Sequence, residues 1–139
     1  MIRPIDIIRR ARTIAVVGLS TNPAKPSAAV AAYLQQQGMR VIPVHPTADT
    51  LLGEKAYRAL SEIPDHVDIV DVFRPAAEAE DWARAAIAIG ADCLWLQQGI
   101  VNPAAARIAE AHGMDVVMDE CTAIVHREWR RQGAQQASQ

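Results

Sequence analysis

A chain of 139 residues, half of them apolar and 22% charged, has the size and balance of one globular domain and leaves no room for a second. Its formal charge of −2 excludes the broad basic field that nucleic-acid binding draws on. No apolar run approaches the roughly 20 residues of a membrane span and no signal-type segment opens the chain, so a cytoplasmic protein without membrane contact is expected.

Residues 5–12 are expected to form a short leading helix that carries part of a basic cluster, Arg3, Arg9, Arg10 and Arg12, on a solvated face. Thr13–Val17 (TIAVV) is the first strand, and residues 27–37 the helix that follows it, stopped by Gly38. Arg40–Val44 (RVIPV) is the second strand. Residues 47–64, with Leu52, Gly53, Tyr57 and Leu60, read as a loop and one short helix. A third strand over 67–73 leads to a helix over 76–89, and a fourth over 92–96 to a helix over 103–112. Asn102 looks like its N-cap, with Pro103 at the first helical position. A fifth strand over 115–118 precedes a closing helix over 122–132, where Arg127, Arg130 and Arg131 read as another solvated face. Residues 133–139 (GAQQASQ) hold too little apolar surface to pack and are expected to fray.

Three of these helices end at a glycine, Gly38, Gly90 or Gly113, as a left-handed C′ position prefers. Uniformly apolar strands alternating with alanine-rich helices call for a sheet covered on both faces. The expected fold over residues 1–132 is therefore Rossmann-like α/β: a doubly wound, five-stranded parallel sheet with helices on both faces, in three layers.

Such sheets bind ligands outside the carboxyl ends of their strands, at the point where strand order reverses. That rule selects Gly18, Leu19, Ser20, Lys25 and Ser27 after the first strand, where a helix N-terminus can cradle a phosphate. Lysine offsets phosphate charge and the hydroxyls of Ser20, Thr21 and Ser27 donate to its oxygens, while Ser27 reads equally well as a plain helix cap. The loop lacks Gly-x-Gly-x-x-Gly, and the second strand ends in His45 and Pro46 rather than in an acid for ribose, so an NAD site is disfavoured. His45 is either satisfied by nearby backbone or placed for ligand contact. The third strand ends in Val72, Phe73 and Arg74, whose guanidinium suits a phosphate or a neighbouring carboxylate. The fourth ends in Gln97, Gln98 and Gly99, where the backbone can approach a ligand closely. In the fifth, Asp119 or Thr122 reads as a cap of the last helix.

His45, His66, His112 and His126 show no spacing that assembles an acid–base pair, and Cys93 with Cys121 make no metal-ligand spacing. No catalytic residue and no metal are expected.

These residues together resemble the stand-alone CoA-binding protein family, related in fold to the N-terminal CoA-binding domain of the succinyl-CoA synthetase alpha subunit. The resemblance runs over nearly the whole chain: Val17-Gly18-Leu19-Ser20, Lys25-Pro26-Ser27, Val41-Ile42-Pro43-Val44 with His45-Pro46, Leu52-Gly53-Glu54, Val67 to Arg74, Leu94 to Gln97, and Val116 to Asp119 before Cys121. It implies coenzyme A or an acyl-CoA as the ligand, with phosphates contacted by Gly18, Ser20, Lys25 and Ser27. The adenosine end would lie near His45 and Pro46, and the pantetheine beside Val72, Phe73 and Arg74. Glu120 stands where similar sequences commonly have arginine, which puts an anion contact there in doubt.

The chain is too short for the further domain and partner subunit of a synthetase, so a binding module is expected: a carrier, sensor or accessory subunit for a small nucleotide ligand. The alternatives are an enzyme or CoA-thiol redox partner acting through Cys121, and a nucleotide-responsive interaction module. Trp82, Trp95 and Trp129 offer area for a homodimer, which the sequence leaves open, and burial alone explains Trp95.

Overall fold

The chain begins to fold at α1, Pro4–Arg10, with proline in its first turn, Asp6 near its N-terminus and Arg9 and Arg10 near its C-terminus, each charge on the side the helix dipole favours. The computed structural model describes residues 2–137. α1 stops short of Arg12 because Ala11 is already extended. Asp68 then accepts from the amides of Arg12 and Thr13 at 2.7 and 2.9 Å, tying the entry of the first strand to the third sheet segment.

The elements follow as β1 Thr13–Val17, α2 Pro26–Gln36, β2 Arg40–Val44, β3 Thr50–Leu51, β4 Glu54–Lys55, a 3-10 turn Leu60–Glu62, and β5 Ile69–Val72. After them come a 3-10 turn Ala76–Glu78, α3 Ala79–Ala88, β6 Cys93–Leu96, α4 Pro103–Ala111, β7 Asp115–Val117 and α5 Thr122–Ala137. Gly38, Gly90 and Gly113 follow their helices at positive φ, and the Asn102 side chain accepts from the Ala105 amide as an N-cap. α5 continues past Gln132 into the segment expected to fray; positions 138 and 139 of that segment lie outside the described residues.

Five parallel strands pair in the order β2-β1-β5-β6-β7. From β1 the chain winds outward to β2 and then crosses back to β5 on the other side, so strand order reverses between β1 and β5. The fold is the expected Rossmann-like three-layer α/β sandwich. Alternation along β1 shows why both faces are covered: Ile14 and Val16 join the core beneath α1, α2 and α5, while Ala15 and Val17 join the core beneath α3 and α4. On the second face Ala79, Ala83, Ala86, Ala105 and Ala109 are wholly buried, and such short side chains let α3 and α4 lie close to the strands and to each other.

Two features depart from the sequence reading. Residues 50–55 form a small antiparallel hairpin rather than plain loop, turning through Leu52 and Gly53 at φ 55 and 73. Both central residues at positive φ make this the mirror-image turn whose twist suits a hairpin. Thr122, expected as a possible helix cap, points inward: its hydroxyl donates to Asp71, and Gln97 Nε2 donates to both of them, closing a buried polar ring between β5, β6 and α5. Burial pushes the Asp71 carboxyl up to about 7, against the smaller lowering by the Gln97 and Thr122 hydrogen bonds.

Candidate functional site

At the reversal point the ends of β1 and β5 meet. The Phe73 amide donates to Val17 O at 2.9 Å, continuing the ladder one step beyond β5. Gly18 follows at φ 83, where a Cβ would lie 2.9 Å from the Phe73 carbonyl oxygen and 3.0 Å from Arg74 Cδ. Only a residue without a side chain lets the two strand ends meet there.

The loop from Gly18 to Lys25 is shaped by its own polar groups. Ser20 Oγ accepts from the Asn22 amide and Asn22 Oδ1 from the Ala24 amide, each at 3.0 Å. Ser27, buried, accepts from the Ser20 amide at 2.9 Å, so its hydroxyl holds the loop and does not cap α2. Lys25 occupies the N-cap position, and no side chain caps the helix. The amino end of α2 thus keeps its positive dipole end open toward the loop. Removing the loop tie by Ser27→Ala is expected to cost about 1 kcal/mol, the ordinary worth of a lost intramolecular hydrogen bond, read by urea unfolding.

Above this floor lies a cleft of about 500 Å³, within the range of small-molecule sites. Gly18, Leu19, Ser20 and Thr21 line it from the first loop, Val44, His45 and Pro46 from the end of β2, and Arg58, Arg74 and Trp82 from the surrounding walls. Leu19 does so while its side chain is anchored in the core. Lys25, Ser27, Val72, Phe73 and Gln98 lie off the cleft lining. Val72 is wholly buried inside β5 and cannot present its side chain to a ligand, whereas Gln98 is exposed beyond β6.

Arg74 lines the cleft and takes the carboxylate role expected of it, donating from Nε and Nη2 to Glu78 at 3.1 and 2.7 Å. That hydrogen bonding holds the Glu78 carboxyl below its ordinary range. Both partners are substantially exposed, and such a surface pair contributes about 0–1 kcal/mol, so an anion can compete for Arg74 at small cost. Trp82 also donates to Glu78, at 3.3 Å, which fixes the indole against the cleft wall.

The family model of the CoA binding domain matches residues 12–127, a span that includes both strand ends and the whole cleft. The chain belongs to this CoA-binding domain family. Its relatives include the YneT protein of Bacillus subtilis (strain 168), 40% identical over 121 residues that cover 87% of this chain and 90% of that protein. The solved structure of cell-free ID.343 from Thermus thermophilus superposes with a TM-score of 0.86 at 34% identity, covering 92% of this chain and 99% of that one. The alpha subunit of acetate–CoA ligase (ADP-forming) II from Pyrococcus furiosus is 36% identical over 72 residues, 51% of this chain but 16% of that subunit. The relatives of this chain thus include a protein of similar size and parts of much longer ligases.

Other titratable groups sit away from the cleft. Cys93 is buried and its thiol is pushed above the ordinary range, chiefly by burial. Cys121 is half-buried at the start of α5 and off the cleft lining. Trp95 donates to the Glu120 carbonyl at 2.8 Å, so position 120 contributes its main chain to the structure while its side chain is exposed. Trp129 packs edge-on to the buried His126, whose ring burial lowers below its ordinary pKa and whose Nδ1 lies 2.9 Å from the Tyr33 hydroxyl. At the opposite edge of the sheet, a groove of about 480 Å³ opens beneath Arg10, Asp68, Asp92 and His112. There His66 pairs with Asp92 at 3.1 Å and with Asp68 at 3.6 Å. That edge holds the amino ends of the strands, where ligands of open parallel sheets do not bind.

Arg58 and Trp82 are cleft residues the sequence reading did not select. Trp82 carried a usable signal, since Arg74, Glu78 and Trp82 follow one another at four-residue spacing and so share a side of the chain entering α3. Arg58 carried none, because it reaches the cleft through a long-range pairing of Tyr57 with the end of β2.

Proposed function

We propose that this chain binds coenzyme A or an acyl-CoA in the cleft at the carboxyl ends of β1, β2 and β5, as a small binding module that carries no complete catalytic apparatus. The observation that carries this reading is the Gly18 contact with Phe73 and Arg74, which brings an open helix end, two loop hydroxyls and Arg74 around one cleft at the switch point. Phosphates would lie against the Gly18 to Thr21 backbone and the amino end of α2, with Arg74 released from Glu78 to meet their charge and Lys25 nearby in the N-cap position. His45 and Pro46 form the wall suited to the adenosine end. Phe73 and Val72 would support the pantetheine side from beneath.

The ligase relatives place the matched segment inside much longer chains, which supports a carrier, sensor or accessory role over ligation by this chain alone. Membership of a CoA-binding family and the absence of an acid at the end of β2 both favour CoA over NAD. Titration calorimetry with CoA and with NAD tests the reading: saturable CoA binding with no NAD binding is expected, and NAD binding without CoA binding would overturn it.

A further inference from the structure

The loop after β2 is gripped from two sides, and the grip leaves one polar atom unused. The amides of Thr47 and Ala48 both donate to His45 Nδ1, at 3.0 and 2.8 Å. Arg58 stands next to Tyr57, which pairs with the backbone of Pro43 and His45. From there Arg58 donates to the carbonyls of His45, Thr47 and Ala48 and to the Asp49 carboxylate. Each terminal nitrogen of Arg58 makes two of these bonds, so the planar fork is committed to the loop and its charge is answered by Asp49.

A ring nitrogen that accepts two amides carries no proton, and in the neutral imidazole the proton then sits on the other nitrogen. His45 lines the cleft. Its Nε2–H is therefore a donor set in advance by the backbone.

We infer that His45 is a specificity-determining residue whose Nε2–H donates to an acceptor on the adenosine portion of the ligand, and that Arg58 and Asp49 are positioning residues that hold the ring for it. The inference rests on the nucleotide reading above and deepens it. A donor already fixed by its neighbours loses little rotamer freedom on binding, and two amide bonds fix this ring. Phosphopantetheine, which shares the phosphate and thiol arm but lacks adenosine, does not reach this donor.

The test begins on the free protein. Ring nitrogen NMR shifts of His45 are expected to show Nδ1 unprotonated and Nε2 protonated at neutral pH; a proton on Nδ1 would overturn the inference whatever the chain binds. His45→Asn keeps an oxygen where Nδ1 stood and so keeps the two amide bonds, but it has no donor that reaches as far as Nε2. It is expected to leave amide exchange at Thr47 and Ala48 as in the wild type, to weaken CoA binding about tenfold, and to leave phosphopantetheine binding unchanged. Wild-type CoA affinity in this variant, or an equal loss for both ligands, would overturn the contact. Arg58→Gln is expected to speed exchange at Thr47 and Ala48 without ligand and to weaken CoA binding, and unchanged exchange would overturn the positioning role. A wild-type chain that binds no CoA refutes the nucleotide reading and the contact with it, whereas the ring protonation and exchange data report on the His45 and Arg58 arrangement by themselves.

Discussion

Replacing Gly18 with alanine is expected to destabilise the protein by about 3 kcal/mol and to abolish ligand binding in the same step. Two causes add. A residue with a Cβ held at positive φ costs about 1–2 kcal/mol, and Gly18 sits at φ 83. The new Cβ would also stand 2.9 Å from the Phe73 carbonyl oxygen, and relieving such overlap in packed structure costs about 1–3 kcal/mol. The amide of Phe73 is itself bonded to Val17 O, so moving the residue away strains that pairing. The strain therefore separates the end of β1 from the end of β5, and the floor of the cleft opens where the phosphates would lie. Urea unfolding and CoA titration of Gly18→Ala, beside Gly38→Ala as a control whose Cβ meets nothing within 4 Å, separate the two causes. The control carries the φ penalty alone and should retain CoA affinity.

The second large effect belongs to Asp71, whose carboxyl is wholly buried and raised to about 7 from an ordinary 3.8. Below about pH 4 the group is protonated whether the chain is folded or not, and it makes no difference to stability. Between pH 4 and 7 the unfolded chain gives up the proton while the folded chain keeps it, so the folded state binds more protons and stability falls as pH rises. Above pH 7 the loss is complete, and a shift of this size corresponds to about 4 kcal/mol.

Asp71→Asn removes the titration and disturbs the ring of hydrogen bonds. An amide at position 71 can accept from Gln97, but its NH2 faces a Thr122 hydroxyl that has been donating to Asp71, leaving one donor without an acceptor at a cost of about 1–3 kcal/mol. The variant is expected to be less stable than the wild type at pH 5 and to gain on it steadily toward pH 8. Urea unfolding of both proteins at the two pH values checks this, and a constant difference between them contradicts the raised carboxyl.

Much of this fold is legible in the sequence because the sheet is buried on both faces. The runs Thr13–Val17 and Arg40–Val44 are apolar enough to mark both ends of β1 and β2, and their carboxyl ends locate the cleft before any coordinates are known. The third run misled at its edges, since Val67 and Phe73 are as apolar as the strand yet lie outside β5 itself. The hairpin over residues 50–55 was hidden because its turn places Leu52, not asparagine or glycine, at positive φ.

The candidate site divides in the same way. Gly18, Leu19, Ser20, His45, Pro46 and Arg74 follow strand ends directly, so strand pattern alone leads to them. Ser27 was found by the pattern but not its task, because accepting from Ser20 depends on how the loop doubles back. Arg58 depends on a contact between segments that no local periodicity encodes, and Asp71 was concealed by the apolar residues around it, although an acid in the middle of such a run is a signal in its own right.

The position of bound CoA is the most direct test of the account. A crystal of this chain grown with CoA is predicted to show the pyrophosphate against the backbone of Gly18, Leu19 and Ser20 at the amino end of α2, with Arg74 turned from Glu78 toward it. CoA lodged instead in the groove beside Arg10, Asp92 and His112, at the amino ends of the strands, would contradict it.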